Sequence, residues 1–432
     1  MARKSDLWSN RGRYSEIWQD PSGGGAEYDV FVTVGTSEAD YITDGTNDRV
    51  KIQLALDSIN TAGGGTLFLK PGTYTLDNTL DVYSNTILRG AGVGATIIKQ
   101  ADGANKFRVI RNDGFAAGGN SDIVLRDFTF NGNKANQSST SIGLNFQTGS
   151  RITLENLYVY DTRDEGIFLT GITNGIVKNC VVVDPGRDAI VMSTGTTGIV
   201  EGCKVSGSTA RSGILISNAA NVRVLGNQSD SNALHGIDMS GASATKNVVN
   251  ANSCSENVRY GIYCGLGPTD VVISDNYTYS NAFGGIGTED NNNILIAANY
   301  SEADSYGIYL DTCNYITVTG NYVYFADKSG IELLSASYNN LTGNYLKDNS
   351  QLTNATYRDI SLTDDGVTYS TKNVVVGNTC LATAANKTAI GIAEQAVSDD
   401  YNVITNNFIE GQTSTGLQMK GVNSDFGHNV IV

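Results

Sequence analysis

Apolar positions recur along this chain in a phrase of fixed form. A small residue, usually Gly, precedes Ile or Leu, and an alternating apolar stretch follows. The phrase reads Gly143-Leu144, Gly166-Ile167, Ala189-Ile190, Gly213-Ile214, Gly236-Ile237, Gly261-Ile262, Gly285-Ile286, Gly307-Ile308, Gly330-Ile331, Gly391-Ile392 and Gly416-Leu417. From Leu144 to Ile331 the step is about 22–25 residues, the range of stacked repeats. A unit that short has no room for two helices and their turns. Its apolar runs, such as Ile190-Val-Met, Ile214-Leu-Ile and Val222-Arg-Val-Leu, are rich in β-branched residues and bounded by Gly, Asn, Asp and Ser. That composition predicts short strands. Pro is scarce, 4 in 432 residues, as expected where backbone N–H groups must join ladders.

A second column trails the first: Asn179, Asn227, Asn252, Asn276, Asn299, Asn321, Asn344, Asn378 and Asn407. Asn tolerates the left-handed backbone of a sharp bend, and stacked copies can bond in a ladder. One bend per turn in a constant place predicts an all-β fold, a right-handed parallel β-helix. Its coils would be spaced by about 4.8 Å and form a rod about 60–70 Å long. A leucine-rich repeat would carry denser Leu, and a propeller would show longer units with Trp-Asp signatures.

The two ends differ from the repeats. Residues 1–25 contain Trp8 and Trp18, several Arg and a closing Ser22-Gly-Gly-Gly25. They are expected to form an N-terminal anchor that docks onto a partner, hinged to a β-helix over 26–432. Near 47–61 the spacing of Ile52, Ala55, Leu56 and Ile59 predicts a single helix. Thr46 or Asn47 would cap its start, and Gly63-Gly-Gly65 would end it. Such a helix covers the open edge of the first coil. The C-terminal end has no equivalent cap, so it is expected to be buried in a homo-oligomer, with a trimer favoured, or to be followed by another module.

Charge and cysteine content narrow the function. The chain has 29 Lys and Arg against 44 Asp and Glu, a net charge of −15. That argues against nucleic acid and anionic membranes as partners. No transmembrane run or signal peptide is visible in the sequence. Tyr (22) outnumbers Phe (12), which suits either sugar contact or stacking along a rod. None of the six Cys forms a Cys-x-x-Cys pair. Cys180 and Cys203 sit in the Asn column, as inward apolar fillers.

The stretch from Asp44-Gly-Thr-Asn-Asp through Gly63-Gly-Gly-Thr-Leu-Phe-Leu-Lys-Pro-Gly-Thr-Tyr74, followed by Ile87-Leu-Arg-Gly-Ala-Gly-Val-Gly94, resembles the opening of pectate-lyase-like β-helix proteins. Leu125-Arg-Asp-Phe-Thr-Phe-Asn-Gly-Asn-Lys-Ala-Asn136 is similar to the catalytic module of bacterial mannuronan C5-epimerases. The resemblance implies the fold, shared with lyases, hydrolases and phage tailspikes. It also implies a Tyr-Gly-Phe-Asp-Pro-His-Glu motif on one coil. Here the matching segment is Glu165-Gly-Ile-Phe-Leu-Thr-Gly171, so Glu165, Phe168 and Thr170 stand where that family has Tyr, Asp and His. The family's Lys is replaced near Thr140. Its Arg-His pair becomes Arg211-Ser212, and its acidic residue matches Asp188.

Aligned on the repeated Gly, neighbouring columns form stripes along one face of the rod. Chemistry gathers between Asp164 and Tyr263. His235 beside Asp238 suits a general base, with Tyr260 or Tyr263 as proton donor and Arg211 and Asp188 close by. Asp164, Glu165 and Asp188 on adjacent coils suit glycoside hydrolysis instead. Arg187, Arg211 and Arg259 suit acidic sugars, and Tyr263, Tyr306 and Tyr309 would extend the binding surface. Rung-to-rung ion pairs on a solvated face are the competing reading. No cofactor is expected. A Ca²⁺ site at Glu289, Asp290 and Asp311 competes with an ordinary solvated turn. The sequence thus points to a virion or extracellular β-helix that recognises polysaccharide, as a phage-type spike, a secreted lyase, hydrolase or divergent epimerase, or a non-catalytic filament.

Overall fold

The computed structural model describes residues 30–45, 48–114 and 119–432. The anchor expected over 1–25, with Trp8 and Trp18, and the caps Thr46 and Asn47 lie outside the described residues.

The alternating runs form parallel strands throughout. A representative coil consists of Ile190–Ser193, Gly198–Glu201 and Lys204–Ser206. Each strand pairs in parallel with its counterpart one turn later, for example Ile190 with Ile214 and Val205 with Ser229. First and second strands join one 28-stranded sheet, and third strands form a 15-stranded sheet. The repeated Ile is a true spatial column. Leu144, Ile167, Ile190, Ile214, Ile237, Ile262, Ile286, Ile308 and Ile331 are register partners in succession, and all lie inside the core. The column continues through Ile360, Ile392 and Leu417. At Ile360 the preceding residue is the buried Asp359 rather than Gly, so a search for Gly-Ile skips one coil.

The phrase's Gly is needed for close approach. A Cβ at Gly213 would stand 2.1 Å from Ser229 Oγ and 2.8 Å from Asn232 Nδ2. The Asn column also works differently from the expectation. The left-handed residue is the one before each ladder Asn: Gly226 (φ 60°), Ala251 (57°), Asp275 (56°), Ala298 (54°) and Gly320 (63°). The Asn side chains turn inward and bond to one another. Nδ2–Oδ1 distances of 2.9–3.0 Å link Asn227, Asn252, Asn276, Asn299, Asn321, Asn344, Asn378, Asn407 and Asn429 without a break. Asn179 is not a rung. It is exposed and itself left-handed (φ 51°). The inward position on its coil belongs to Cys180, and the next to Cys203, whose N–H donates to Asn227 Oδ1 at 2.9 Å. All six Cys are buried and free.

Helix α1 spans Asp48–Thr61 and buries Ile52, Ala55, Leu56 and Ile59. The Asp48 carboxylate accepts from Gly45 N at 2.9 Å and from Thr75 N at 2.8 Å, tying the helix start to the first coils. Its end closes at Gly63 (φ 92°), with Gly64 N donating to Ile59 O at 3.0 Å. The segments 348–357 and 364–371 lie outside strands, as lengthened turns of the later coils.

Candidate functional site

The outward face of the first strands, with the turn that leads into each, carries the candidate site residues. Outward positions run Asn145, Phe168, Val191, Leu215, Asp238, Tyr263, Gly287, Tyr309 and Glu332 in register. The sequence columns therefore become a continuous surface with an acidic end and an aromatic end.

At the acidic end, Asp164, Glu165, Asp188 and Asp238 are all buried. Arg187 Nη1 lies 3.0 Å from Glu165 Oε1, and its Nε lies 3.6 Å from Asp164 Oδ1. Burial and the Asp164 charge push Glu165 up to about 7, outweighing Arg187. Burial lifts Asp188 to about 6 against the pull of a hydrogen bond from Ser212 N (3.0 Å) and the charges of Arg211 and Arg187. Burial, then the Asp188 charge, lifts Asp238 to about 7. Ser212 Oγ donates to Asp238 Oδ2 at 3.3 Å, so one residue bridges the two carboxyl groups. The other oxygens, Asp188 Oδ2 and Asp238 Oδ1, are buried and have no hydrogen-bond partner. A cleft of about 390 Å³ opens over Asp164 and Glu165, lined also by Thr140, Asn145, Gln147, Phe168 and Arg187. Both amide atoms of buried Asn145 are unpartnered. A larger hollow of about 580 Å³ follows the corner at Lys178, Glu201, Gly202 and Gly226, where small left-handed residues leave space, away from the perturbed carboxyls.

At the aromatic end, the rings of His235, Tyr260 and Tyr263 form a cluster, with His235 4.4 Å from Tyr263 (planes 6° apart) and 5.6 Å from Tyr260 (19°), and the two tyrosines 5.4 Å from each other. Its Nδ1 accepts from Tyr260 N at 3.3 Å. Burial and Arg259 press it down to about 3, so the ring is neutral. The Tyr263 hydroxyl donates to Glu289. Gly284 and Gly287 on the next coil make room for the Tyr260 ring. A Cβ on Gly287 would stand 2.4 Å from it. Phe283, Tyr306 and Tyr309 extend the platform. Arg259 stands 5.7 Å from the Phe283 ring centre, and Lys328 4.6 Å from that of Tyr306. Burial raises Tyr260, Tyr263, Tyr306 and Tyr309 above the ordinary phenol value.

The predicted residues thus fall into two joined groups. Asp164, Glu165, Arg187, Asp188, Arg211 and Asp238 form one; His235, Arg259, Tyr260, Tyr263, Tyr306 and Tyr309 form the other. Sequence reasoning missed Asn145 on this surface; it set Ser212, Phe283 and Lys328 in the columns without a role, and offered Glu289 to a cation rather than to the Tyr263 hydroxyl. Asn145 could have been found by extending the column one coil upstream, and Ser212 by its place between two carboxylates. Among the described residues no group of three or more His, Cys, Asp or Glu is placed to hold a metal ion.

Residues 72–210 and 142–301 match the family described as the right-handed beta helix region. The chain belongs to this family. Residues 240–363 also match the family described as periplasmic copper-binding protein (NosD). Among curated relatives from Azotobacter vinelandii, mannuronan C5-epimerase AlgE6 is 41% identical over 99 residues, 21% of this chain and 11% of that protein. Alginate lyase 7 is 32% identical over 152 residues, 29% of this chain and 17% of its own length. The matches therefore span a small part of those proteins. The AlgE6 A-module from the same organism superposes with a TM-score of 0.55 at 22% identity, covering 91% of this chain and 97% of the module. A tailspike of E. coli bacteriophage HK620, solved with a pentasaccharide, gives 0.61 at 15%, covering 88% and 77%. At these identities the superpositions establish a shared fold. No helix among the described residues is long and apolar enough to cross a membrane.

Proposed function

We propose that this face binds an extracellular polysaccharide and hydrolyses it. The observation that carries the reading is the set of buried carboxyl groups with raised proton affinity, Glu165, Asp188 and Asp238, continuous with a platform of stacked aromatic rings. Such values divide the labour at neutral pH. Glu165 near 7 retains a proton to give to the glycosidic oxygen as the C–O bond breaks. Asp188 near 6 is ionised, to take a proton from water or to attack the anomeric carbon. Arg187, which holds Glu165 and Asp164 in the free protein, turns to a sugar carboxylate on binding, and its departure leaves Glu165 neutral. His235 is a packing and donor group in this scheme, because its Nδ1 is occupied by Tyr260 N. The matched stretches of epimerase and alginate lyase, with Arg187, Arg211 and Arg259 along the face, favour a uronate polymer as the first substrate to try.

The test is product analysis on alginate, polygalacturonate and bacterial capsule chains. New reducing ends without unsaturated uronate are expected, and Glu165→Gln lowers the rate by about 100-fold or more. Unsaturated ends would replace hydrolysis by β-elimination. Tight binding with no product would make this a recognition protein. The recurrence of tailspikes among the superposed folds supports a wider setting as a trimeric phage-type spike. A monomer in sedimentation, encoded among secretion genes, argues for the secreted-enzyme setting instead.

A further inference from the structure

The corner between the first and second strands carries one left-handed residue per coil. Over four successive coils it is Asn221 (φ 57°), Lys246 (57°), Asp270 (58°) and Asn293 (57°). Three of these are residues that tolerate such a backbone. Over the next four, the same column holds Tyr315 (58°), Tyr338 (61°), Lys372 (58°) and Tyr401 (60°), fixed there by the strand register. A bulky side chain in this region is disfavoured. No burial compensates it, because Tyr315, Tyr338 and Tyr401 are 58%, 45% and 57% exposed. Tyr315 and Tyr338 stack with ring centres 5.4 Å apart. Lys372 Nζ donates to the Tyr338 hydroxyl at 2.8 Å and stands 4.9 Å from the centre of its ring.

Strained residues held at a surface call for a use outside the fold. The strip is one side chain wide and about 14 Å long, three coil steps. That is far below the roughly 800 Å² per partner of a stable protein interface. Its rings recur along the rod axis with one cation among them, which suits a long, repeating ligand lying parallel to the rod. We propose that Tyr315, Tyr338, Lys372 and Tyr401 form a second saccharide-binding strip, separate from the acidic cleft, that holds an anionic glycan chain. The rings would meet sugar C–H faces, and Lys372 with the tyrosine hydroxyls would meet carboxylate or sulfate. The saccharide class rests on the reading of the cleft given above; the strip itself does not.

The experiment compares the full chain with a Tyr315→Asn, Tyr338→Asn, Tyr401→Asn triple variant and with Glu165→Gln. Calorimetric titration with alginate, polygalacturonate and dextran is paired with thermal melts and sedimentation. The triple variant is expected to bind the anionic chains at least 10-fold more weakly, to keep its turnover at saturating substrate, and to melt no lower than the parent, since Asn accepts the left-handed backbone. Glu165→Gln is expected to lose turnover and keep the strip's affinity. Unchanged affinity in the triple variant overturns the strip and leaves the cleft standing. A Tm lowered by several degrees makes the rings structural, and a changed oligomeric state makes them a subunit contact; either overturns the proposal. A parent protein that holds none of the chains overturns strip and cleft together.

Discussion

Replacing Asp238 by Asn should stabilise this protein at pH 8 and leave it unchanged at pH 4. The Asp238 carboxyl moves from an ordinary 3.8 to about 7 in the fold, chiefly through burial and then the Asp188 charge. A carboxyl whose folded value is raised costs nothing below its unfolded value. The cost grows as pH rises from about 4 to 7 and is complete above 7. Three pKa units at about 1.4 kcal/mol each set a ceiling of about 4 kcal/mol. Asp188, raised from 3.8 to about 6, carries about 3 kcal/mol on the same arithmetic. The two are not additive, because the Asp188 charge is itself one cause of the Asp238 shift. Asn keeps an acceptor for Ser212 Oγ and replaces an oxygen that has no partner. Unfolding 432 residues at about 2.1 cal/mol/K each makes 4 kcal/mol worth about 4 °C of Tm. Scanning calorimetry of parent, Asp188→Asn and Asp238→Asn at both pH values measures it. If these carboxylates are instead rung-to-rung ion pairs with Arg187 and Arg211, the variants melt lower at pH 8. That sign would refute the reasoning, and with it the case for a catalytic cluster.

The rate of glycan cleavage should peak between about pH 6 and 7, falling on the acid side as Asp188 gains a proton and on the alkaline side as Glu165 loses one; a flat profile across that range counts against this pair. Gly287→Ala puts a methyl group into the Tyr260 ring, so glycan affinity should drop by about 10-fold while circular dichroism stays that of the parent. Asn252→Ala removes bonds to Asn227, Val224 and Asn276 and should cost about 3–5 kcal/mol, seen as faster amide exchange across those coils. Asn179→Ala, outside the ladder, should cost about 1 kcal/mol.

The architecture was legible because register repeats. An inward Ile every coil is a spatial column, and the sequence shows it wherever Gly precedes it. It is lost at Ile360, where Asp359 fills the Gly position and bonds to Asn349, Thr388 and Gln412 instead. The Asn column was legible as a ladder and misleading as a bend, because side-chain direction decides. A residue one place earlier takes the left-handed turn, and Asn179 falls on that place. In the site, membership of the outward columns could be read, but partnership could not. His235 and Asp238 are close in sequence and alternate in column. The ring of His235 therefore stacks on tyrosines from the following coil, while Asp238 meets Ser212 from the preceding one. Burial of the carboxyls, which sets their proton affinity, depends on side chains from several coils and leaves no local signature.

The ladder lies beneath one end of the outer face and largely not the other. In a solenoid each coil touches only its neighbours, so a penalty on one coil must be offset there or next to it. The aromatic platform from Tyr260 to Tyr309 stands on coils whose interior carries linked Asn rungs. The acidic group stands largely upstream, where the inward position is Cys180 and Cys203 and the amide chain has not begun. There the carboxyls lean on backbone and hydroxyl donors from a neighbouring coil, with Ser212 serving Asp188 from the coil after it and Asp238 from the coil before it. Ser212 therefore bridges the two carboxyl groups. It holds Asp188 by its N–H and Asp238 by its hydroxyl, while burial sets the proton affinity of both and the Asp188 charge adds to that of Asp238.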